Sequence, residues 1–317
     1  MNLSEKLQAL YQQFGELPGI TIELHKEIIA VAVRNSQASA TIFLQGAQIT
    51  HYQPRDQQPV IWCSPDSDYR QGEPLRGGIP ICWPWFGQLD KNPEVIQKQF
   101  DATKPLLAHG LVRQDDWQLD TINTDNPDLT VLQLSLQPGT PWPFQCELRL
   151  TLSIGAYLDC QLSIVNQDST AWCFTAALHN YLSISDSRNV AIEGLDNCQY
   201  IDTVEDQTGR SWITRQQQGD IKVDREIDRI YIPAPTQTRL IDHGWSRQII
   251  LNSTGSRSTV VWNPWQEKAK RLSCFDNEAY HRMVCIETAN AMADSIELQP
   301  GQIHQLGVCM TIEGLSD

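Results

Sequence analysis

The chain has 317 residues, 41% of them hydrophobic and 20% charged, an ordinary globular composition with length enough for a large core. Its formal charge of −14 argues against nucleic acid and against an anionic membrane surface, because both call for a basic face. No apolar run is long enough to span a bilayer, and the start at Met1 carries no cationic-then-apolar signal segment.

Leu3, Leu7, Leu10, Tyr11 and Phe14 recur at helical spacing, and Asn2 with Glu5 three positions later has the form of a capping box. They predict one amphipathic helix in an N-terminal extension, residues 1–17, packed on the body of the fold. From Ile20 onward the chain reads as short strands that alternate apolar and polar residues. Ile20–Leu24, Ile28–Val33, Leu129–Leu136, Glu147–Ile154, Trp172–Leu178 and Met283–Glu287 are examples. Asn126-Pro127-Asp128, Pro138-Gly139 and Gln299-Pro300-Gly301 punctuate them. No helical segment recurs between strands, so a parallel βαβ sheet is excluded. The expectation is an all-β fold, a large antiparallel β-sandwich with a short N-terminal helix. No linker divides the chain, so 1–317 reads as a single domain. The nine cysteines form no Cys-x-x-Cys pair, and many lie in apolar strands, as thiols of a reducing, cytoplasmic protein would.

The stretch Pro74-Leu75-Arg76-Gly77-Gly78-Ile79-Pro80-Ile81-Cys82-Trp83-Pro84-Trp85-Phe86-Gly87 sets a cation and two glycines before an aromatic wall stiffened by prolines. It reads as a pocket wall on which a small polar ligand stacks, or equally as a tightly packed aromatic corner. An acidic protein that binds an anion needs a local basic pocket, and Arg76 and Arg113 are candidates for it. His109 and Gly110 form a short turn ahead of Arg113. Strand alternation puts Thr175, Ala177, His179 and Tyr181 on one face, where small neighbours leave His179 room for a ligand. Histidine moves protons near neutral pH, although a core histidine bonded to a carbonyl is the plainer alternative. Glu287 ends an apolar strand; there it is either partly desolvated and more basic, or turned out into water. Asp228 sits in Arg225-Glu226-Ile227-Asp228-Arg229, which also reads as a solvated salt-bridge cluster. His243-Gly244-Trp245 is a weaker pocket-lining loop. There is no Gly-x-Ser-x-Gly elbow, phosphate-binding glycine loop or His-x-x-x-His zinc helix, so cofactor-free chemistry is the simplest reading.

These segments occur in order with Ile192-Glu193-Gly194-Leu195, Val261-Trp262-Asn263-Pro264-Trp265, Glu287-Thr288-Ala289-Asn290-Ala291 and Leu298-Gln299-Pro300-Gly301-Gln302. In that order the chain resembles the hexose-6-phosphate mutarotases (glucose-6-phosphate 1-epimerases), a branch of the aldose 1-epimerase family. The resemblance implies a galactose-mutarotase-like supersandwich with its site on one concave sheet face. It implies exchange of the α and β anomers of a hexose 6-phosphate by ring opening and closing, with a small phosphosugar as partner and no cofactor. Glu287 would be the base and His179 the acid toward the ring oxygen, on opposite sides of the sugar. Arg76 and Arg113 would hold the 6-phosphate, Asp228 the hydroxyls, and His109 would lie close by. Ala108 departs from the pattern, which often carries a glutamine there. Nothing demands a dimer, so a monomer is expected. The rival readings are the same reaction on unphosphorylated aldoses, and a non-catalytic phosphosugar-binding protein on this fold.

Overall fold

The structure is a computed structural model, described over residues 2–101, 106–139, 141–206 and 208–315. Met1 and the last two residues of the expected 1–317 unit lie outside the described residues. The helix occupies Leu3–Phe14 of the expected N-terminal extension. The capping box is formed: the Glu5 N–H donates to Asn2 Oδ1, and the Asn2 N–H donates to Glu5 Oε2, both at 2.9 Å. Leu10 and Phe14 are buried against the body, but Tyr11 is 59% exposed. One position beyond Leu10, it is turned about 100° round the helix and off the buried stripe.

Among the described residues the strands form antiparallel sheets of nine, eight, four and two strands, joined by loops and a few short helical turns. In Cys146–Ile154 and Leu158–Asn166, adjacent in the nine-stranded sheet, every second residue is buried and those between are only partly covered. This is the signature of a strand with one face on a core. The eight-stranded sheet covers that core from the other side, so its central strand Met283–Asn290 is buried along its whole length. Its side chains still divide by face. Val284 and Ile286 join the main core with Leu148 and Ile164. Cys285 and Met283 pack on the opposite face with Tyr181 and Trp262.

Three expectations change. The expected strand Trp172–Leu178 is two strands in different sheets. Trp172–Phe174 pairs with Ile296–Leu298, and Ala176–Leu178 pairs with Met283–Asn290 and Ile81–Cys82. Between them the Thr175 N–H donates to the Pro84 carbonyl, which takes the chain across from one sheet to the other. Glu287 does not end its strand, which runs three residues further to Asn290. Finally, the charged segment around Asp228 contains a strand, Ile227–Tyr231, set between Gln199–Asp202 and Ser258–Asn263 in the eight-stranded sheet.

Candidate active site

The chain around Arg76 is held by its glycines. Gly77 has φ of +100°, and a Cβ there would lie 2.6 Å from Cys63 Cα. Without one, the Gly78 N–H reaches the Trp62 carbonyl at 2.6 Å, and Ser64 reaches the Arg76 carbonyl at 2.9 Å. The Arg76 side chain is steadied in turn, with Nε donating to the Ser273 carbonyl at 3.3 Å. Beyond it the aromatic run is a packed corner. Trp83 and Trp85 are fully buried, Trp83 against Trp142, Trp172 and Phe174, and Trp85 against Phe100. Neither is free to stack on a ligand. Phe86, half-buried, is the member of the run that reaches the cavity.

That cavity holds about 370 Å³ and opens on the face of the eight-stranded sheet turned away from the main core. Its size suits a small molecule. Arg76, His109, His179, Asp228 and Glu287 line it. Of the six residues expected at the site, Arg113 is not among the lining residues; one of its terminal nitrogens donates to the Ala108 carbonyl at 2.9 Å. His243 lies elsewhere, beside Arg188, Lys222 and Trp265 in a separate depression.

His179 follows the strand Ala176–Leu178 and is held at both ends. Its N–H donates to the Pro80 carbonyl at 3.0 Å, and its ring stacks on Tyr181 at 4.6 Å and 12°. Trp262 meets it edge-on at 6.1 Å. Glu287 reaches the same spot from the neighbouring strand. His179 Nδ1 and Glu287 Oε2 are 3.4 Å apart, 7% and 2% exposed as residues, and neither atom has a hydrogen-bond partner within the protein. Buried polar atoms are seldom left in that state, and a pair of them on a cavity wall marks a place for a ligand's own polar groups. The two groups stand side by side. They are placed to reach two oxygens attached to one carbon.

Burial sets the proton affinities. It raises the Glu287 carboxyl well above the usual carboxylate range, and the Asp228 charge adds to the rise. It lowers His179 well below the ordinary imidazole value, with His109, Arg113 and Arg76 adding to the fall. His109 is lowered to about 3 by burial and then by Arg113 and Arg76. Its Nδ1 accepts from the Gly87 N–H at 3.3 Å, so the hydrogen of the neutral ring is assigned to Nε2, a donor.

Two cations were not found from the sequence. Lys91 ends the 3₁₀ turn Leu89–Lys91 on the cavity rim. Lys268 belongs to the short helix Trp265–Ala269. Asn263 forms the turn before that helix: Oδ1 accepts from the Trp265 N–H, and Nδ2 donates to the Tyr280 and Met283 carbonyls. This turn brings the Lys268 ammonium to 5.9 Å from the Trp262 ring, 3.5 Å from Asp228 and 3.1 Å from Glu226. The Val261–Trp265 segment was the available signal, since it stood out in the sequence without its Lys268. Asp228 is therefore in a salt-bridge network and on the cavity wall at once. Against Arg76, Lys91 and Lys268 the wall sets the carboxyls of Asp228 and Glu287, and Glu287 resists ionisation. A chain of net charge −14 thus carries a cationic cavity.

Residues 30–311 match the protein family described as "Aldose 1-epimerase". A protein of Cenchrus ciliaris named "Putative glucose-6-phosphate 1-epimerase" is 31% identical over 305 residues, covering 91% of this chain and 85% of its own. One of Salmonella typhimurium with the same name is 28% identical, covering 87% of this chain and 88% of its own. Among solved structures, a "putative mutarotase (YeaD)" from Salmonella typhimurium superposes with a TM-score of 0.83 at 23% identity, over 96% of this chain and 99% of that one. A galactose mutarotase-like protein from Clostridium acetobutylicum gives 0.72 at 12% identity, over 93% and 98%. The fold is the galactose-mutarotase-like β-sandwich.

Proposed function

Because the chain belongs to the aldose 1-epimerase family, we propose that it exchanges the α and β anomers of D-glucose 6-phosphate and related hexose 6-phosphates. It is an isomerase. The observation that carries the residue assignment is the buried, unpartnered Nδ1–Oε2 pair at 3.4 Å, on two residues that line a cationic cavity.

Anomer exchange needs only protons in the right places. Glu287 takes the proton from the C1 hydroxyl, and the O–H electrons become the C1=O π bond. The bond from C1 to the ring oxygen breaks, its electrons stay on that oxygen, and His179 protonates it. The open aldehyde turns about C1–C2, and the reverse transfers close the ring on its other face. Each such group contributes about 10²–10⁴ in rate. The pair as a whole holds one proton throughout, as carboxylate with imidazolium or as carboxylic acid with neutral imidazole. Burial favours the second, uncharged arrangement. Ring opening converts the first into the second and ring closure restores the first, so the reaction begins from the charged arrangement that burial disfavours in the empty site.

Arg76 takes the 6-phosphate, with Lys268 and Lys91 as cations of the same wall and Arg113 adding positive charge from behind His109. Asp228 receives sugar hydroxyls, and His109 donates from Nε2. The contiguous core, from Leu10 to Met310, supports a single domain. All nine cysteines are unpaired, which supports a reducing cytoplasmic setting, and among the described residues no helix is long and apolar enough to cross a membrane. We retain a monomer as the working assembly.

The test is polarimetry of freshly dissolved α-anomers. Acceleration confined to glucose 6-phosphate supports the proposal, and equal acceleration of free glucose moves the reading to a neutral-aldose mutarotase. Phosphosugar binding without acceleration would leave a non-catalytic sugar-binding protein.

A further inference from the structure

Cys285 lies two residues before Glu287 on the same strand, so its side chain is on the same sheet face. Its Sγ, a ring nitrogen of His179 and a Glu287 carboxylate oxygen all lie within 4.8 Å of one another. We propose that these three side chains form a zinc-binding site whose fourth position faces the cavity, and that Zn²⁺ bound there shuts off anomer exchange.

Bonds of about 2.0–2.2 Å to nitrogen or oxygen put two ligands of a tetrahedral ion roughly 3.4 Å apart. The Nδ1–Oε2 separation is already 3.4 Å. The longer zinc–sulfur bond, about 2.3 Å, asks for roughly 3.6 Å from sulfur to each of the others, a closure of up to about 1.2 Å from the 4.8 Å limit. Both non-sulfur ligand atoms are buried and lack protein partners, so binding breaks no existing hydrogen bond. Binding releases the Cys285 thiol proton, which burial and Glu287 hold tightly, and the proton shared by His179 and Glu287 to solvent; the resulting thiolate and carboxylate neutralise Zn²⁺ and leave the complex formally uncharged. That matters beside Arg76, whose charge opposes a bare cation. Lone-pair donation to zinc removes the two atoms through which protons must move, so metal and phosphosugar exclude one another. The inhibitory half of the proposal rests on the assignment of His179 and Glu287 as the acid and base; the binding half does not.

The experiment titrates the full chain with Co²⁺ alone, then Zn²⁺. The expected result is one equivalent of Co²⁺ with a thiolate-to-cobalt charge-transfer band that Zn²⁺ displaces. Cys285→Ser and Cys285→Ala should both lose the band, which separates it from the other eight thiols. Both should keep metal-free mutarotation while needing on the order of 100-fold more Zn²⁺ for inhibition, at or beyond the 10–100-fold that losing a second-shell partner costs. A wild-type chain with no band, or a band that survives in both variants, overturns the site. Equal Zn²⁺ sensitivity in wild type and both variants overturns the inhibition. A normal band in a chain with no metal-free mutarotation sinks the enzymatic reading while leaving the metal site in place.

Discussion

The ring of Tyr181 lies parallel to the imidazole of His179, 4.6 Å between centres and 12° between planes. The strand pairing that sets Tyr181 opposite Cys285 therefore also sets the direction in which His179 presents its nitrogens. Such a pair is worth about 0.5–1.5 kcal/mol beyond the area it buries. Tyr181→Phe should keep the stack and most of kcat. Tyr181→Leu should lower kcat by up to about tenfold, with KM changing less, as steady-state polarimetry would record.

Removing the carboxylate tests the base directly. Glu287→Gln keeps the shape of the side chain and should lower kcat by about 10²–10⁴, with phosphosugar binding still measurable by calorimetry. A near-wild-type rate would take Glu287 out of the reaction.

The cation surplus tests the substrate. Arg76→Ala and Lys268→Ala should each raise KM for glucose 6-phosphate well above any change toward free glucose. Lys268→Ala has a second effect, because it frees Asp228 from its partner at 3.5 Å. Arg113→Ala, whose guanidinium donates to the Ala108 carbonyl outside the wall, should raise KM less than Arg76→Ala. A larger effect at Arg113 would show that its side chain swings into the cavity when the phosphate arrives.

Trp212 stands on the cavity rim, 39% exposed, with φ of +59°. A large aromatic held in that conformation and left in water fits a surface on which a sugar's C–H groups pack. Trp212→Ala should raise KM several-fold, to about tenfold at most, while kcat holds. An unchanged KM would assign it no part in binding.

Stability should fall at alkaline pH. Burial raises Cys63 to about 11, Cys146 to about 12 and Cys160 well above the ordinary 9.0. The unfolded thiols ionise near 9 while the folded ones keep their protons. Their contribution is complete below pH 9 and is lost as pH rises through the window up to about 12. Melting curves between pH 8 and 10.5 should show Tm falling, with a shallower slope in Cys160→Ala.

What the sequence made legible follows from how local each signal was. The capping box of Asn2 and Glu5 needs four residues and formed as expected. The strands with strict alternation, such as Leu129–Leu136, were found because one of their faces meets a core. Ile227–Tyr231 was hidden, since both of its neighbours are strands and its charged residues sit at a cavity edge rather than on an outer surface. Arg76, His109, His179, Asp228 and Glu287 were all legible and the fold gathers them. Trp83 and Trp85 were left open between pocket wall and packed corner, because sequence does not say which side of a sheet an aromatic turns to; they are the packed corner. Lys91 and Lys268 went unseen because their place depends on the turns that precede them.

The acidic exterior and the cationic cavity together act as a sieve on size. A small phosphosugar carries few charges through the repulsive outer field and then meets the attractive wall. A long polyanion, with many charges still outside when its first group reaches Arg76, is repelled along its whole length. Added salt loosens the grip on the sugar and weakens that exclusion together.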